Sequence, residues 1–128
     1  MLQKQVITSD KAPKAIGPYS PAIRIGDFVF TAGQIGIDPQ TGAVVAGGIE
    51  VETRQVLFNL QHLLDEAGVS LENVVKTTVF LRDMNDFPRM NAIYEEFFAI
   101  NPPARSTVQV AALPKGAAVE IEAVAVGR

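Results

Sequence analysis

Residues 119–126 read VEIEAVAV, and residues 74–82 read VVKTTVFLR. Both stretches are rich in β-branched residues, so each predicts a strand. Because alternate side chains of a strand face opposite sides of its sheet, the faces can be assigned from the sequence. On the last strand, one face is apolar and the other carries Glu120, Glu122, Val124 and Val126. On residues 74–82, we expect Val75, Thr77, Val79 and Leu81 to share one face, and Val74, Lys76, Thr78, Phe80 and Arg82 the other.

The segments around these two strands complete an α+β pattern. Residues 22–31 predict a hairpin that turns at Gly26-Asp27. Apolar residues at helical spacing predict a helix over 49–67, ended by Gly68, and a second helix over 87–100 that Asp86 can cap. Residues 105–111 predict a further strand. The length of the chain fits a single domain over residues 1–128.

Two helices can cover only one face of such a mixed sheet. The second face carries valine and phenylalanine side chains and is too apolar to be left in water. The sequence offers no third helix to cover it. Self-association is the simplest way to bury this face, so the pattern predicts a homo-oligomer.

Composition narrows the classes of function. The chain has 128 residues, no cysteine, one histidine and a formal net charge of −3. Thiolate chemistry and cysteine-ligated metals are therefore excluded, and the lone His62 lies beside the apolar stripe of the first predicted helix, as expected of a surface residue. Without a basic stripe we expect no nucleic-acid partner. Without a long apolar run or a signal-like N-terminus, we expect no membrane partner and a cytoplasmic protein.

Arg105, Glu120 and Glu122 are the candidate site residues that spacing alone supplies. By alternation we place Arg105 with Thr107 and Gln109 on the less covered face of the sheet, where Glu120 and Glu122 also lie. If the two C-terminal strands are neighbours, an arginine that binds carboxylates and a carboxylate that activates water meet in one cleft. A salt bridge between Arg105 and either glutamate is an equally good interpretation of the same spacing.

Gly33 and Gly36 interrupt the strand that follows the hairpin. They match neither a phosphate loop nor a dinucleotide-binding motif, because no GxxxxGK[ST] or GxGxxG is present. A bend in the strand is the simpler interpretation. The alternative is a backbone N–H that lies open to a ligand.

Several motifs nevertheless resemble one known family over nearly the whole chain. The stretch PARSTVQVAALPKG at 103–116, followed by VEIEA at 119–123, is similar to the C-terminal signature of the reactive intermediate deaminase (RidA/YjgF) family. Further similar stretches are IGPYS at 16–20, TAGQIG at 31–36, NVVKTTV at 73–79, and Asn85-Asp86-Phe87 with Asn91, Tyr94, Phe97 and Phe98.

The resemblance implies a chorismate-mutase-like α+β fold and a homotrimer with three clefts between subunits. In that family the clefts hydrolyse 2-imino acids, which arise from enamines such as 2-aminoacrylate, to 2-keto acids and ammonia, without metal or cofactor. Carried over by position, Arg105 is expected to bind the substrate carboxylate and Glu120 to position the attacking water. Gly33 would offer its N–H, the Thr107 backbone would hold the nitrogen or water, and Tyr19 and Asn91 would line the cleft.

Two positions depart from the family pattern, and other functions compete. Ala32 stands where bacterial relatives often carry serine, and Thr107 where some carry cysteine, so substrate range and rate are the properties in question. A non-catalytic sensor of keto acids or amino-acid-like ligands could use the same clefts, since a fold does not fix a function. An RNA-directed inhibitor of translation is the third class, and the net charge of −3 argues against it.

Overall fold

The structure is a computed structural model that describes residues 2–128. Its two α-helices are Ile49–Glu66 (α1) and Phe87–Phe97 (α2). Its strands are Gln5–Ile7 (β1), Ala22–Ile25 (β2), Phe28–Thr31 (β3), Gln34–Ile35 (β4), Val74–Leu81 (β5), Ala104–Gln109 (β6) and Val119–Val126 (β7).

The strands form one mixed sheet in the order β1-β2-β3-β7-β5-β6, and β4 also pairs with β7 beyond the end of β3. Only β5 and β6 run parallel. Both helices pack on the same face, which confirms the predicted α+β architecture. The hairpin and α1 lie close to their predicted bounds, whereas β1 was not predicted and α2 ends at Phe97, before the predicted Ile100.

The start of α2 differs from the prediction in one detail. Asp86 stands at the residue before the helix, but its side chain makes no capping hydrogen bond. It accepts a hydrogen bond from Arg89 Nη2 at 2.6 Å instead. Asp83 caps the short 3₁₀ turn just before α2 through the N–H of Asn85.

The helix-covered face holds the core. The four residues of β7 on the apolar face, Val119, Ile121, Ala123 and Ala125, are all buried there, in one cluster with leucines of α1 that have no exposed surface. The faces of β5 are also as expected from Lys76 onward. At the start of β5 the two faces are reversed, because the strand has a bulge between Val74 and Lys76. Val74 is buried in the core, and Val75 is 49% exposed. A bulge adds one residue to a strand and so shifts the alternation.

The opposite face of the sheet is open. Directly paired residues of an antiparallel ladder share a face, which places Ile23, Phe30 and Val124 side by side across three strands. Phe28 and Phe30 remain 48% and 43% exposed, and their rings stack 6.0 Å apart. The predicted uncovered apolar face is therefore a feature of the single chain.

Candidate functional site

Glu120 lies on the open face near the start of β7. Its register partners are Phe80 of β5 and Ile35 of β4. The side chain is half-buried, and its carboxylate has no hydrogen-bond donor or salt-bridge partner among residues 2–128. Burial is the main cause that raises the pKa of the Glu120 carboxyl above its usual range, and the negative charge of Glu122 adds to it. A raised pKa makes the ionised carboxylate a better proton acceptor than an ordinary glutamate.

Gly33 lies against this carboxyl group. A Cβ at position 33 would stand 2.7 Å from Cδ and 2.9 Å from Oε1 of Glu120, which is closer than van der Waals contact allows. Gly33 occupies the bend where the chain leaves β3 and joins β7 again as β4. The bend predicted at this glycine is therefore present, and the absence of a side chain lets the backbone approach Glu120 closely.

A pocket of about 260 Å³ opens beside Glu120 and Gly33. Tyr19 lies on one wall, at the end of the irregular segment that joins β1 to β2, and is 49% exposed. The remaining lining residues are mostly apolar and include two lysines. They are Pro13, Lys14, Ile16, Pro21, Gln34, Ile35, Ile37, Pro114 and Lys115. Three of the predicted site residues, Tyr19, Gly33 and Glu120, thus meet in one pocket.

Arg105 lies on β6, which is an edge strand of the sheet. Its Nη1 donates a hydrogen bond to Oδ1 of Asn91 at 2.7 Å. The guanidinium carbon stands 4.7 Å from the ring centroid of Tyr94 and 5.3 Å from that of Phe87. No carboxylate within residues 2–128 pairs with it. The salt bridge to Glu120 or Glu122 is therefore absent, and the guanidinium is held in place with N–H groups left for an anion.

A second pocket, of about 420 Å³, contains Arg105 and Asn91. Thr107 is two residues further along β6 and points to the same side, because its register partner Val79 is fully buried under the helices. The hydroxyl oxygen of Thr107 is buried and has no hydrogen-bond partner within the described chain. Arg105, Asn91 and Thr107 thus form a second group of predicted site residues.

The two groups do not meet within one chain, which corrects the sequence prediction. Strands β6 and β7 are not neighbours, because β5 lies between them. Arg105 is level with Thr77, which is fully buried on the helix-covered face, so Arg105 lies on that face and not on the less covered one. Glu120 is level with Phe80 on the open face. Arg105 and Glu120 therefore lie on opposite faces of the sheet.

Two rings hold Arg105, and neither was predicted to belong to the site. Tyr94 and Phe87 are the residues one helical turn on either side of Asn91 on α2, and this spacing was the available signal. The Tyr94 hydroxyl is itself fixed by a 2.7 Å hydrogen bond with Thr77 Oγ1. Burial raises the pKa of the Tyr94 hydroxyl, while Thr77 and Arg105 act in the opposite direction.

Other parts of the described chain offer no comparable site. His62 Nδ1 lies 2.8 Å from the carbonyl oxygen of Lys11 and is used in packing. Between Leu2 and Arg128, no group of three or more His, Asp or Glu side chains is arranged to hold a metal ion. None of the helices in that range is long and apolar enough to cross a membrane.

Known proteins resemble this chain in sequence and in fold over nearly its whole length. Residues 9–127 match the family described as endoribonuclease L-PSP. The human 2-iminobutanoate/2-iminopropanoate deaminase is 51% identical over 98% of this chain and 91% of its own. A putative endoribonuclease from Thermotoga maritima superposes with a TM-score of 0.96 at 50% identity over 98% and 99% of the two chains. The TdcF protein of E. coli, solved with bound serine, superposes at 0.93 with 42% identity over 97% and 99%. The chain therefore belongs to the endoribonuclease L-PSP family, which is the RidA/YjgF family that its motifs resemble.

Proposed function

We propose that this protein is an imine deaminase that hydrolyses 2-imino acids to 2-keto acids and ammonia. Water adds to the protonated C=N carbon, and the C–N bond then breaks as the nitrogen leaves with a proton from that water. The observation that carries the proposal is the unpaired, half-buried carboxylate of Glu120 beside Gly33 in an open pocket. The name of the human relative supports the choice of substrate class.

Arg105 binds the carboxylate of the substrate in this proposal. A guanidinium fork suits a carboxylate because two parallel N–H groups can meet its two oxygens. The Asn91 hydrogen bond and the Tyr94 ring fix the orientation of the fork before substrate arrives. Thr107 follows Arg105 by two residues on β6, and in this proposal its backbone helps to hold the substrate nitrogen or the water.

Glu120 activates the water, and Gly33 offers its backbone N–H beside the reacting carbon. The raised pKa suits a group that must accept a proton from water and return it to the departing nitrogen. Tyr19 closes one wall of the pocket. A protonated imine carbon is already electrophilic, so these groups need neither a metal nor a covalent nucleophile.

A complete site requires more than one copy of the chain, because Arg105 and Glu120 lie on opposite faces of one sheet. We propose a homotrimer in which the open faces pack inward and the Glu120 pocket of one subunit meets the Arg105 pocket of the next. The exposed Phe28, Phe30 and Val108 supply apolar surface for that contact.

A coupled assay tests the activity. A dehydratase that uses pyridoxal phosphate generates 2-aminoacrylate, and formation of the keto acid is measured with and without this protein. We expect acceleration that survives exhaustive dialysis and a chelator. No acceleration, together with measurable binding of the keto acid, would identify a ligand sensor and overturn the proposed activity.

Subunit complementation tests the shared site. We expect Arg105→Ala and Glu120→Ala each to be inactive as pure proteins of trimer mass by sedimentation equilibrium. After joint unfolding and refolding in equal amounts, about one quarter of the sites should regain activity, since each of the two contributing subunits is the required one half of the time. A mixture as inactive as its parents would place both residues of a site in one chain and contradict the shared site.

A further inference from the structure

Glu52 and Asn59 are buried polar side chains of helix α1 that lie outside the pocket and hydrogen-bond to the strands beneath it. Glu52 is 7% exposed, and Asn59 has no exposed surface. They are seven residues apart, about two helical turns, and so point to the same side of α1. The Asn59 side chain bonds to the segment that follows Gly33, and the Glu52 side chain bonds to the backbone just before Glu120.

Asn59 holds the segment around β4. Its Nδ2 donates hydrogen bonds to the carbonyl oxygens of Ile35 at 3.3 Å and Ile37 at 3.0 Å. Its Oδ1 accepts a hydrogen bond from Gln55 Nε2 at 2.9 Å, which fixes the orientation of the amide. The ladder between β4 and β7 pairs only two residues on each strand, so the amide of Asn59 adds the contacts that a longer ladder would supply.

Glu52 holds the start of β7. Its Oε1 accepts a hydrogen bond from the N–H of Ala118 at 2.8 Å, two residues before Glu120. The backbone of Glu52 also supports the end of β4, because a Cβ at Gly36 would stand only 3.0 Å from Glu52 Cα and O. Glu52 therefore contacts both segments that border the pocket.

We propose that Glu52 and Asn59 are positioning residues that set the spacing between Gly33 and the Glu120 carboxylate. The two groups are in close contact, since one added carbon on Gly33 would overlap the Glu120 side chain and push it out of its present position. A shift of β4 relative to the start of β7 would change the distance between the Gly33 N–H and the Glu120 carboxylate. Both groups are needed at the same reacting centre. The proposal rests on the proposed function, in which these two groups act together.

Two substitutions of Glu52 separate positioning from packing. Glu52→Gln keeps a carbonyl oxygen for the Ala118 N–H, whereas Glu52→Met keeps similar length and has no comparable acceptor. We expect the glutamine variant to retain wild-type kcat and the methionine variant to lose at least about tenfold in kcat, with KM within about threefold. A methionine variant with wild-type kcat would overturn the proposal.

A titration of Glu120 by ¹³C NMR gives a readout that does not depend on the reaction. Glu122, whose charge acts on Glu120, and the pocket-lining Lys14 and Lys115 are unchanged in these variants. In Glu52→Met the hydrogen bond to Ala118 is lost, so we expect water to reach the Glu120 carboxylate and its pKa to fall towards the usual range. In Glu52→Gln the pKa of Glu120 should keep its wild-type value. A lower Tm with an unchanged pKa would show a merely structural role and overturn the proposal.

Asn59→Ser provides the second test if Glu52→Met does not fold. A single hydroxyl cannot donate to both carbonyls, so the same fall in kcat and in the Glu120 pKa is expected. The titration also separates two failures. A wild-type protein that hydrolyses no imine overturns the proposed function alone, whereas an unchanged Glu120 pKa in the variants overturns the positioning role alone.

Discussion

Replacing Glu120 by glutamine is expected to lower kcat for imine hydrolysis by about 10²–10⁴-fold, the usual contribution of general acid–base catalysis. Glutamine keeps the shape of the side chain and can still hydrogen-bond a water, but it cannot accept the proton. Binding of the keto-acid product and the mass of the assembly should change little. Steady-state kinetics, a keto-acid titration and sedimentation measure the three properties.

Glu122→Gln is the matched control, because Glu122 lies two residues along the same face and is exposed. It should cost little kcat. Since the charge of Glu122 raises the pKa of Glu120, its removal should move the rise of kcat/KM with pH towards lower pH. Wild-type rates in Glu120→Gln with an inactive Glu122→Gln would show that the other carboxylate is the base. Wild-type rates in both would leave no role for either carboxylate.

The stability of Glu120→Gln gives an independent check on the raised pKa. A carboxyl whose pKa is higher in the folded chain than in the unfolded chain binds more protons when folded, so its ionisation destabilises the fold as pH rises through that interval. Below the pKa of the unfolded chain this cost is absent. Glu120→Gln should therefore have a higher Tm than the wild type at neutral pH and no such advantage in acid, as measured by thermal unfolding across pH.

The local pattern of the sequence predicted most elements because burial enforces it. The alternation on β7 was correct throughout, since every inward residue of β7 is buried in the core under the helices. The alternation predicted for β5 failed at Val74 and Val75, because one bulged residue shifts the pattern there. No residue type in the sequence indicates this bulge. β1 has only three residues, too few for a period to be detected.

The site was harder to predict than the fold because it depends on strand order. The residues around Arg105 alternate as predicted, but β6 has only intermediate and exposed side chains, so its pattern does not reveal which face the helices cover. Placing β5 between β6 and β7 separates Arg105 from Glu120. Residue types and motifs supplied the candidates in both groups, whereas their placement on opposite faces required the three-dimensional structure.

Arg105→Lys is expected to lower kcat/KM by about 10- to 150-fold, although it keeps the positive charge. A charge-assisted hydrogen bond contributes about 1.5–3 kcal/mol, which corresponds to that range. The guanidinium is already oriented by Asn91 and lies over the ring of Tyr94, so its remaining N–H groups have a fixed direction. A lysine ammonium is a compact charge on a flexible chain and presents no planar fork.

Arg54→Lys is the control for the change of residue type, because Arg54 pairs with Glu96 on the helical surface and lines neither pocket. It should behave as the wild type. Calorimetric titration with a keto acid should show the same loss of affinity in Arg105→Lys as the kinetics, because the carboxylate is bound before and during the reaction. A loss confined to kcat would mean that Arg105 acts on the transition state. Unchanged kinetics and unchanged keto-acid binding would show that Arg105 is not part of the substrate site. Its guanidinium would then require a different anion as its partner.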